Sequence, residues 1–194
     1  SQIYGMVRRF WSAGYSHLAL SGNITPIGKI AVPPVMTEIV VRVVDCHIFR
    51  WENGKPLYLL LKRSENQMYP GIWQCVTGKI EADEKPHETA LRELKEETGL
   101  SASNLWTIDQ VNHFYEAEEN RMNLIPVFGV EVESSKIALS PEHTESKWCN
   151  LDEGVDLLLW NQQKQGLLNF HQMITKETEK LNLSKIAIRL SRNH

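Results

Sequence analysis

The segment from Gly78 to Leu100 constrains the fold of this 194-residue chain more than any other part of its sequence. Pro86 suits the first turn of an α-helix, because the N–H that proline lacks has no partner in that turn. Gly99 suits the position just after the last turn, where the backbone often turns left-handed. The segment between them therefore predicts a helix over residues 86–98.

The predicted helix carries three glutamates on one side. Each helical residue advances by about 100°, so Glu93, Glu96 and Glu97 share a sector about 100° wide. The neighbouring sector is mainly apolar and is expected to face the core: Ala90, Leu91 and Leu94. The third sector is expected to face solvent or a partner: Glu88, Arg92 and Lys95.

Three carboxylates on one sector repel each other, at a cost of roughly a few tenths of a kcal/mol per pair. Mg²⁺ would offset this repulsion, since it prefers oxygen ligands and completes its shell with waters or phosphate oxygens. A solvated acidic face is the alternative interpretation of the same residues. In either case we expect all three carboxylates to lie outside the core.

The wider pattern resembles the Nudix box of the Nudix hydrolase family. In that pattern, glycines, apolar residues, a single glutamate, an Arg-Glu pair and a Glu-Glu pair recur at fixed spacings. Every specified position is matched here, by Gly78, Glu84, Arg92, Glu93, Leu94, Glu96, Glu97, Gly99 and Leu100. A chance match in a chain of average composition is on the order of one in ten million, so the resemblance is specific.

The resemblance implies an α/β protein with the Nudix fold, an α/β/α sandwich with a mixed β-sheet. It also implies cleavage of a nucleoside diphosphate linked to another moiety, with Mg²⁺ or Mn²⁺ as cofactor. Glu96, Glu97 and the carbonyl of Gly78 would then be metal ligands. Glu93 would assist in metal binding, or would orient or deprotonate water.

Other positions of the box have implied supporting roles. Arg92 would hold the glutamates through a salt bridge, and Glu84 would stabilise the arrangement of loop and helix. Two lysines depart from the common pattern. Lys79 replaces a second glycine and adds positive charge near the phosphates, while Lys85 stands where Ser or Thr usually caps the helix.

A further acid is expected from a loop beyond the box, as a metal ligand or a base. Glu142 is the first candidate, because Glu-His before an aromatic strand residue resembles a recurrent segment of the family. Glu145 is the second candidate, and an exposed loop charge is the alternative for either. For His143 a local hydrogen bond is favoured over metal ligation, because one isolated histidine is weak support for a metal site.

Four residues are candidates for substrate binding, each with a structural alternative. Arg63 could clamp a phosphate with two hydrogen bonds, or could be a surface residue at a strand end. Trp73 and Trp148 could stack on a base, although a strand tryptophan is more often part of the core. Tyr115 resembles a weak mark of diadenosine-polyphosphate hydrolases, and an aromatic residue in a strand explains it equally well.

The segments 73–78 and 160–162 resemble the Nudix branch of dATP and dihydroneopterin triphosphate pyrophosphohydrolases. We therefore predict a Mg²⁺-dependent enzyme that splits a nucleotide or pterin triphosphate into monophosphate and pyrophosphate. Alternative substrates are dinucleoside polyphosphates, nucleotide sugars or ADP-ribose, and capped or triphosphorylated RNA. A non-catalytic Nudix module that senses a ligand or binds a protein is the competing class. The intact box glutamates favour catalysis.

Charge and cysteine content narrow the class of protein. The 21 basic and 24 acidic residues give a net charge of −3, which argues against a general nucleic-acid binder. Cys46, Cys75 and Cys149 are too few and too far apart for a disulfide framework or a zinc site, so a cytoplasmic location fits. No apolar run approaches the roughly 18–20 residues of a membrane span, so no membrane partner is expected.

The chain is predicted to have three parts. Residues 1–35 precede the first acidic residue, Glu38, and could be a transit-type leader, a packed arm or an expression remnant. Residues 36–180 would form the Nudix domain, and residues 181–194 a C-terminal tail. In the tail, Ile186–Leu190 alternates apolar and other residues, which predicts a short strand within the domain or at a homodimer contact.

Strands interleaved with helices indicate a mixed α/β domain. Runs of β-branched and aromatic residues separated by turn signals predict the strands, and helical spacing predicts the helices. The predicted strands are 39–44, 57–61, 73–77, 106–115, 124–132 and 146–149, and the predicted later helices are 151–159 and 162–180.

Overall fold

The computed structural model describes residues 36–188, and from Thr37 onward these belong to one compact unit. The expectations for residues 1–35 and for Leu190 fall outside the described residues. The strands are β1 (Glu38–Val40), β2 (Val43–Glu52), β3 (Lys55–Arg63), β4 (Trp73–Gln74), β5 (Val76–Lys79), β6 (Ala102–Glu116), β7 (Arg121–Val132), β8 (His143–Cys149) and β9 (Lys185–Ile186). The helices are α1 (Pro86–Thr98), α2 (Leu151–Leu157), α3 (Asn161–Lys176) and α4 (Thr178–Leu183).

The strands form one mixed sheet in the order β4-β3-β2-β7-β6-β9. β2 runs parallel to β7, whereas β2–β3, β3–β4, β6–β7 and β6–β9 are antiparallel. Three further strands pair beside this path: β1 with β7, β5 with β2, and β8 with β3. β3 therefore borders β2 along its first half and β4 along its last residues. β5, which pairs with the start of β2, lies next to α1.

Helices cover both faces of the sheet. Alternate residues of a strand point to opposite faces, so Cys46 and Ile48 of β2 join the buried cluster that contains Leu94 of α1. Phe49 joins the cluster on the other face, which contains Phe170 of α3. The α/β/α sandwich with a mixed sheet is thus confirmed.

The boundaries of the elements were predicted unevenly. The predicted helix 86–98 is confirmed, and Gly99 after it adopts a left-handed backbone with φ of 72°. The predicted strand 39–44 is wrong as one element, because the chain leaves the sheet at Val41 and Arg42. β1 pairs with the start of β7, and β2 pairs with β7 further along.

The predicted helix 162–180 is also wrong as one element. Glu177, with φ of −117° and ψ of 60°, leaves the helical region and separates α3 from α4. α3, the longest of the helices described for residues 36–188, has 16 residues. Within that range, no helix has both the length and the apolar composition needed to span a membrane.

The C-terminal tail contributes the short strand β9. β9 pairs with β6, at Leu105↔Ile186 and Trp106↔Lys185. Ile186 and Ile188 pack against the cluster beneath α1, so these two side chains are used within the domain. A homodimer stays a prediction.

Gly129 of β7 lets α3 lie close to the sheet. A Cβ atom on Gly129 would lie 2.2 Å from ring atoms of Phe170. We expect Gly129→Ala to lower the free energy of unfolding by about 1–3 kcal/mol, because overpacked cores are strained. Urea denaturation measures this change. Adding Phe170→Leu should recover part of the loss, and strictly additive effects of the two substitutions would contradict the contact.

Candidate active site

The guanidinium of Arg92 binds three carboxylates of the box. Its Nε donates a hydrogen bond to Glu84 at 3.0 Å, and one terminal nitrogen donates to Glu93 at 2.8 Å and to Glu96 at 2.9 Å. The other terminal nitrogen donates to the second oxygen of Glu84 at 3.0 Å and to the carbonyl of Lys79 at 2.9 Å. The side chain therefore turns from its helical sector toward the glutamates, and joins the helix, the preceding loop and β5.

Glu84 fixes the loop before α1. Its carboxylate also accepts a hydrogen bond from the hydroxyl of Thr89 at 2.6 Å. Hydrogen bonds from Arg92 hold the pKa of Glu84 at about 2, well below its ordinary value. The side chain of Lys85 makes no capping hydrogen bond, but the carboxylate of Glu88 accepts one from the Lys85 N–H at 2.9 Å. This contact offsets the missing Ser or Thr cap.

Gly78 allows β5 to approach Glu93. A Cβ atom at Gly78 would lie 2.0 Å from Cγ of Glu93, so a larger residue would displace this carboxylate. The Glu93 side chain is largely buried between strand and helix. Burial raises the pKa of Glu93 to about 6 against the opposing effect of Arg92. The arrangement therefore holds a carboxyl group that changes its protonation near neutral pH.

Glu97 is buried, with only 4% of its surface exposed. The expectation that all three carboxylates lie outside the core is therefore wrong for Glu97, whereas the side chain of Glu96 is 58% exposed. Nε2 of His143 lies 3.2 Å from Oε2 of Glu97. Burial raises the pKa of Glu97, and the contact with His143 opposes that rise.

The loop 138–143 is tied to the end of α1. The N–H of Ser140 donates to the carbonyl of Glu97 at 3.1 Å, and the N–H of Ser64 donates to the carbonyl of Glu142 at 2.9 Å. The negative charge of Glu142 contributes to the raised pKa of Glu97. The structure therefore brings Glu142 close to the box glutamates.

Glu145 lies on the other face of the sheet. In the pairing of β3 with β8, a register shift next to Arg63 sets His143 opposite Arg63 and Glu145 opposite Lys62. Lys62 Nζ donates to the carboxylate of Glu145 at 2.6 Å. Lys62 and Arg63 are neighbours on β3 and therefore point to opposite faces of the sheet. Glu145, opposite Lys62, is directed away from the face that carries His143, opposite Arg63.

Arg63 is bonded to its own loop while its charge reaches the carboxylates. It donates to the carbonyl of Met68 at 2.7 Å, to Gln74 at 3.2 Å and to Gln67 at 3.3 Å. The positive charge of Arg63 also lowers the pKa of Glu97, against the larger effect of burial. This side chain therefore connects the loop 64–72 to the glutamate face.

The other candidates for substrate binding lie apart from one another. Trp73 packs against the cluster beneath α3 and Trp148 against the cluster beneath α1, so both serve the core. The side chain of Tyr115 is half exposed on β6, and its hydroxyl donates to Asn120 at 2.8 Å. Lys79 is exposed at the end of β5, within the box.

Comparison with known proteins decides the family. The profile of the NUDIX domain matches residues 41–170. The chain belongs to the Nudix family. The family, fold and hydrolase class that the box predicts are thereby confirmed.

Relatives from several organisms share the Nudix domain. The asymmetrical bis(5'-nucleosyl)-tetraphosphatase of Mus musculus is 28% identical over 128 residues, which cover 64% of this chain and 85% of the relative. The dihydroneopterin triphosphate diphosphatase of Haemophilus influenzae is 34% identical over 111 residues, which cover 51% of this chain and 68% of the relative. A binary complex of the Caenorhabditis elegans Ap4A hydrolase has the same fold, with a TM-score of 0.57 and 22% identity. The match covers 70% of this chain and 98% of the hydrolase.

The oxygen donors of the Nudix box fit a hard divalent cation. Arg92 already brings a positive charge between Glu93 and Glu96, and Oε2 of Glu97 is buried without a well-formed hydrogen bond. In the present side-chain arrangement, no three His, Cys, Asp or Glu side chains among residues 36–188 converge as a metal site. Binding of a cation would therefore require the carboxylates to turn from Arg92.

An aromatic pair on the α3 side of the sheet was not predicted from the sequence. The rings of Tyr69 and Trp160 meet edge to face at 5.5 Å, and both side chains are about half exposed. Tyr69 has a left-handed backbone with φ of 57°, which is strained for a bulky residue. Residues next to the pair line a cleft of about 330 Å³ together with Trp73 and Lys164. Only the Trp160 segment carried a signal, and nothing in the sequence pairs it with Tyr69.

Glu84 should make stability depend on acid. Its folded-state pKa of about 2 lies below its ordinary value of 4.5, so its contribution is complete above about pH 4.5 and is lost as the pH falls toward 2. We expect wild type to exceed Glu84→Gln in free energy of unfolding at pH 7, and the difference to shrink below pH 4.5. Urea denaturation across this range measures it, and a difference independent of pH would contradict the ion pair.

Proposed function

We propose that this protein is a Mg²⁺-dependent pyrophosphohydrolase that splits a nucleotide or pterin triphosphate into monophosphate and pyrophosphate. The observation that carries the proposal is the arrangement of Glu93, Glu96 and Glu97 on one helix, with Gly78 of β5 packed against Glu93. Mg²⁺ takes carboxylate and carbonyl oxygens and shares its remaining positions with phosphate and water, so this donor set suits a polyphosphate substrate.

These oxygens, with Glu142 from the loop 138–143, would hold Mg²⁺, or Mn²⁺ in its place. The bound cation would neutralise phosphate charge and make water more acidic. Before the cation binds, Arg92 holds Glu93 and Glu96 together, and Glu84 in turn holds Arg92.

The protein's own groups can supply proton transfer and phosphate binding. Glu93 would either help to bind the cation or accept a proton from water, and its largely buried carboxylate is held beside Gly78 for either role. Arg63 and Lys79 add positive charge at the end of β3 and at the end of β5. A planar guanidinium binds a phosphate with paired hydrogen bonds, so Arg63 would exchange its loop contacts for the substrate.

The pair Tyr69–Trp160 would bind the heterocyclic ring. Stacking of a base on an aromatic side chain contributes about 1–3 kcal/mol. The cleft beside the pair, with Trp73 in its wall, has a volume of about 330 Å³, which is in the range of small-ligand sites. The Haemophilus influenzae relative, named for dihydroneopterin triphosphate, supports a pterin or nucleotide triphosphate.

Hydrolysis of a dinucleoside polyphosphate is the second candidate. Tyr115 favours it, because its half-exposed ring on β6 offers another surface for a base. The tetraphosphatase of Mus musculus also matches a longer part of this chain than the Haemophilus influenzae relative does.

Hydrolysis in ¹⁸O-labelled water tests the proposed function. With Mg²⁺ and dATP or dihydroneopterin triphosphate, we expect the label in the monophosphate, because water attacks the α-phosphorus and pyrophosphate leaves. Turnover should require the cation and fall by orders of magnitude in Glu96→Gln, whose side chain is exposed.

Label in pyrophosphate, or release of orthophosphate, would contradict this cleavage. Turnover of diadenosine tetraphosphate without turnover of any triphosphate would favour the second candidate.

Glu142 and Glu145 form a matched pair for testing the loop acid. We expect Glu142→Gln to reduce turnover more than Glu145→Gln, because only Glu142 lies near the charge of Glu97. Glu145 bonds to Lys62 on the other face of the sheet. Steady-state kinetics at saturating Mg²⁺ measure both variants. Equal, small effects would remove Glu142 from the site.

A further inference from the structure

His143 places an imidazole ring against Glu97 inside the domain. Their exposed fractions are 6% and 4%, and Nε2 of His143 lies 3.2 Å from Oε2 of Glu97. Among residues 36–188, none completes a hydrogen bond of good geometry with this oxygen or with either ring nitrogen. Because an N–H···O bond spans about 2.7–3.2 Å, the pair stands at the limit of that distance and a small rotation would close it.

Two features of the backbone place the His143 side chain next to Glu97. The register shift in the β3–β8 pairing sets His143 opposite Arg63, on the face of the sheet that α1 covers. The N–H of Ser140 donates to the carbonyl of Glu97 at 3.1 Å, and the N–H of His143 donates to the carbonyl of Ser140 at 3.2 Å. The imidazole therefore meets Glu97 through a loop that is itself bonded to Glu97.

A neutral imidazole carries one N–H and one lone pair. With the proton on Nε2, His143 donates to Oε2 of Glu97, and the other carboxylate oxygen keeps its lone pairs for a cation. Groups that hold metal ligands by hydrogen bonds fix the orientation of those ligands.

We propose that His143 is a positioning residue that orients the Glu97 carboxylate for a divalent cation. The proposal rests on the metal site of the proposed function and adds to it. His143 acts through Glu97 and does not itself bind the cation. Its removal should therefore weaken cation binding in the absence of substrate, and not only turnover.

Binding of Mn²⁺ to the full chain, followed by electron paramagnetic resonance, tests the proposal. His143→Leu removes the donor and keeps an apolar side chain in the buried space. We expect it to weaken Mn²⁺ binding by about 10-fold or more, the usual effect of losing a group that holds a ligand. His143→Gln places an amide N–H near the position of Nε2 and should restore most of the affinity.

His47→Leu is the matched control. His47 is also buried, with 1% exposed, and its Nε2 also lacks a hydrogen-bond partner within the described part of the chain. It lies beneath α3, close to Gly166, on the face opposite α1. His47→Leu should leave Mn²⁺ affinity unchanged, and thermal melting shows which variants fold.

The outcomes separate this proposal from the metal site itself. Failure of wild type to bind Mn²⁺ would refute the metal site of the proposed function. If wild type binds, equal affinity in His143→Leu, or an equal loss in His143→Gln, would overturn the positioning role. If His143→Leu does not fold, His143→Asn replaces it, because its shorter amide cannot reach Oε2, and the same comparison with His143→Gln decides.

Discussion

The arrangement of the site depends on the guanidinium of Arg92. Its planar fork of donors joins Glu84 before α1, the Lys79 carbonyl on β5, and Glu93 and Glu96 on α1 itself. Like charges on one face of a helix repel each other. The positive charge of Arg92 offsets the repulsion between Glu93 and Glu96, and its hydrogen bonds fix both carboxylates. The same contacts oppose metal binding, since a cation must compete with Arg92 for two carboxylates.

Local signals predicted the helix of the site, and long-range packing determined what surrounds it. Pro86 and Gly99 gave the bounds of α1 because both act on the backbone of their own turn. A helical projection could not show that Glu97 is buried, because the loop 138–143, far away in sequence, is bonded to the end of α1. Likewise, only the register shift in β3–β8 places His143 and Glu145, two residues apart, on opposite faces of the sheet.

Buried polar contacts hold the sheet to α3 on one face, whereas the box glutamates lie on α1 at the other face. Beneath α3, Asp45 accepts hydrogen bonds from Asn112 at 2.6 Å and from Gln163 at 3.2 Å, which joins β2, β6 and α3. Burial raises the pKa of Asp45, and the hydrogen bonds from its amide partners oppose that rise. These hydrogen bonds replace part of the hydration that the buried carboxylate has lost. Beneath α1, the apolar cluster supports the helix that carries Glu93, Glu96 and Glu97.

Anomalous diffraction from crystals grown with Mn²⁺ tests the central claim most directly, because it locates the cation without relying on turnover. We expect an anomalous peak coordinated by Glu93, Glu96 and Glu97 beside the Gly78 carbonyl. Arg92 should then release the two carboxylates that it holds and keep Glu84. A Mn²⁺ peak elsewhere, with Arg92 still bonded to Glu93 and Glu96, would contradict a metal site on the glutamates of α1.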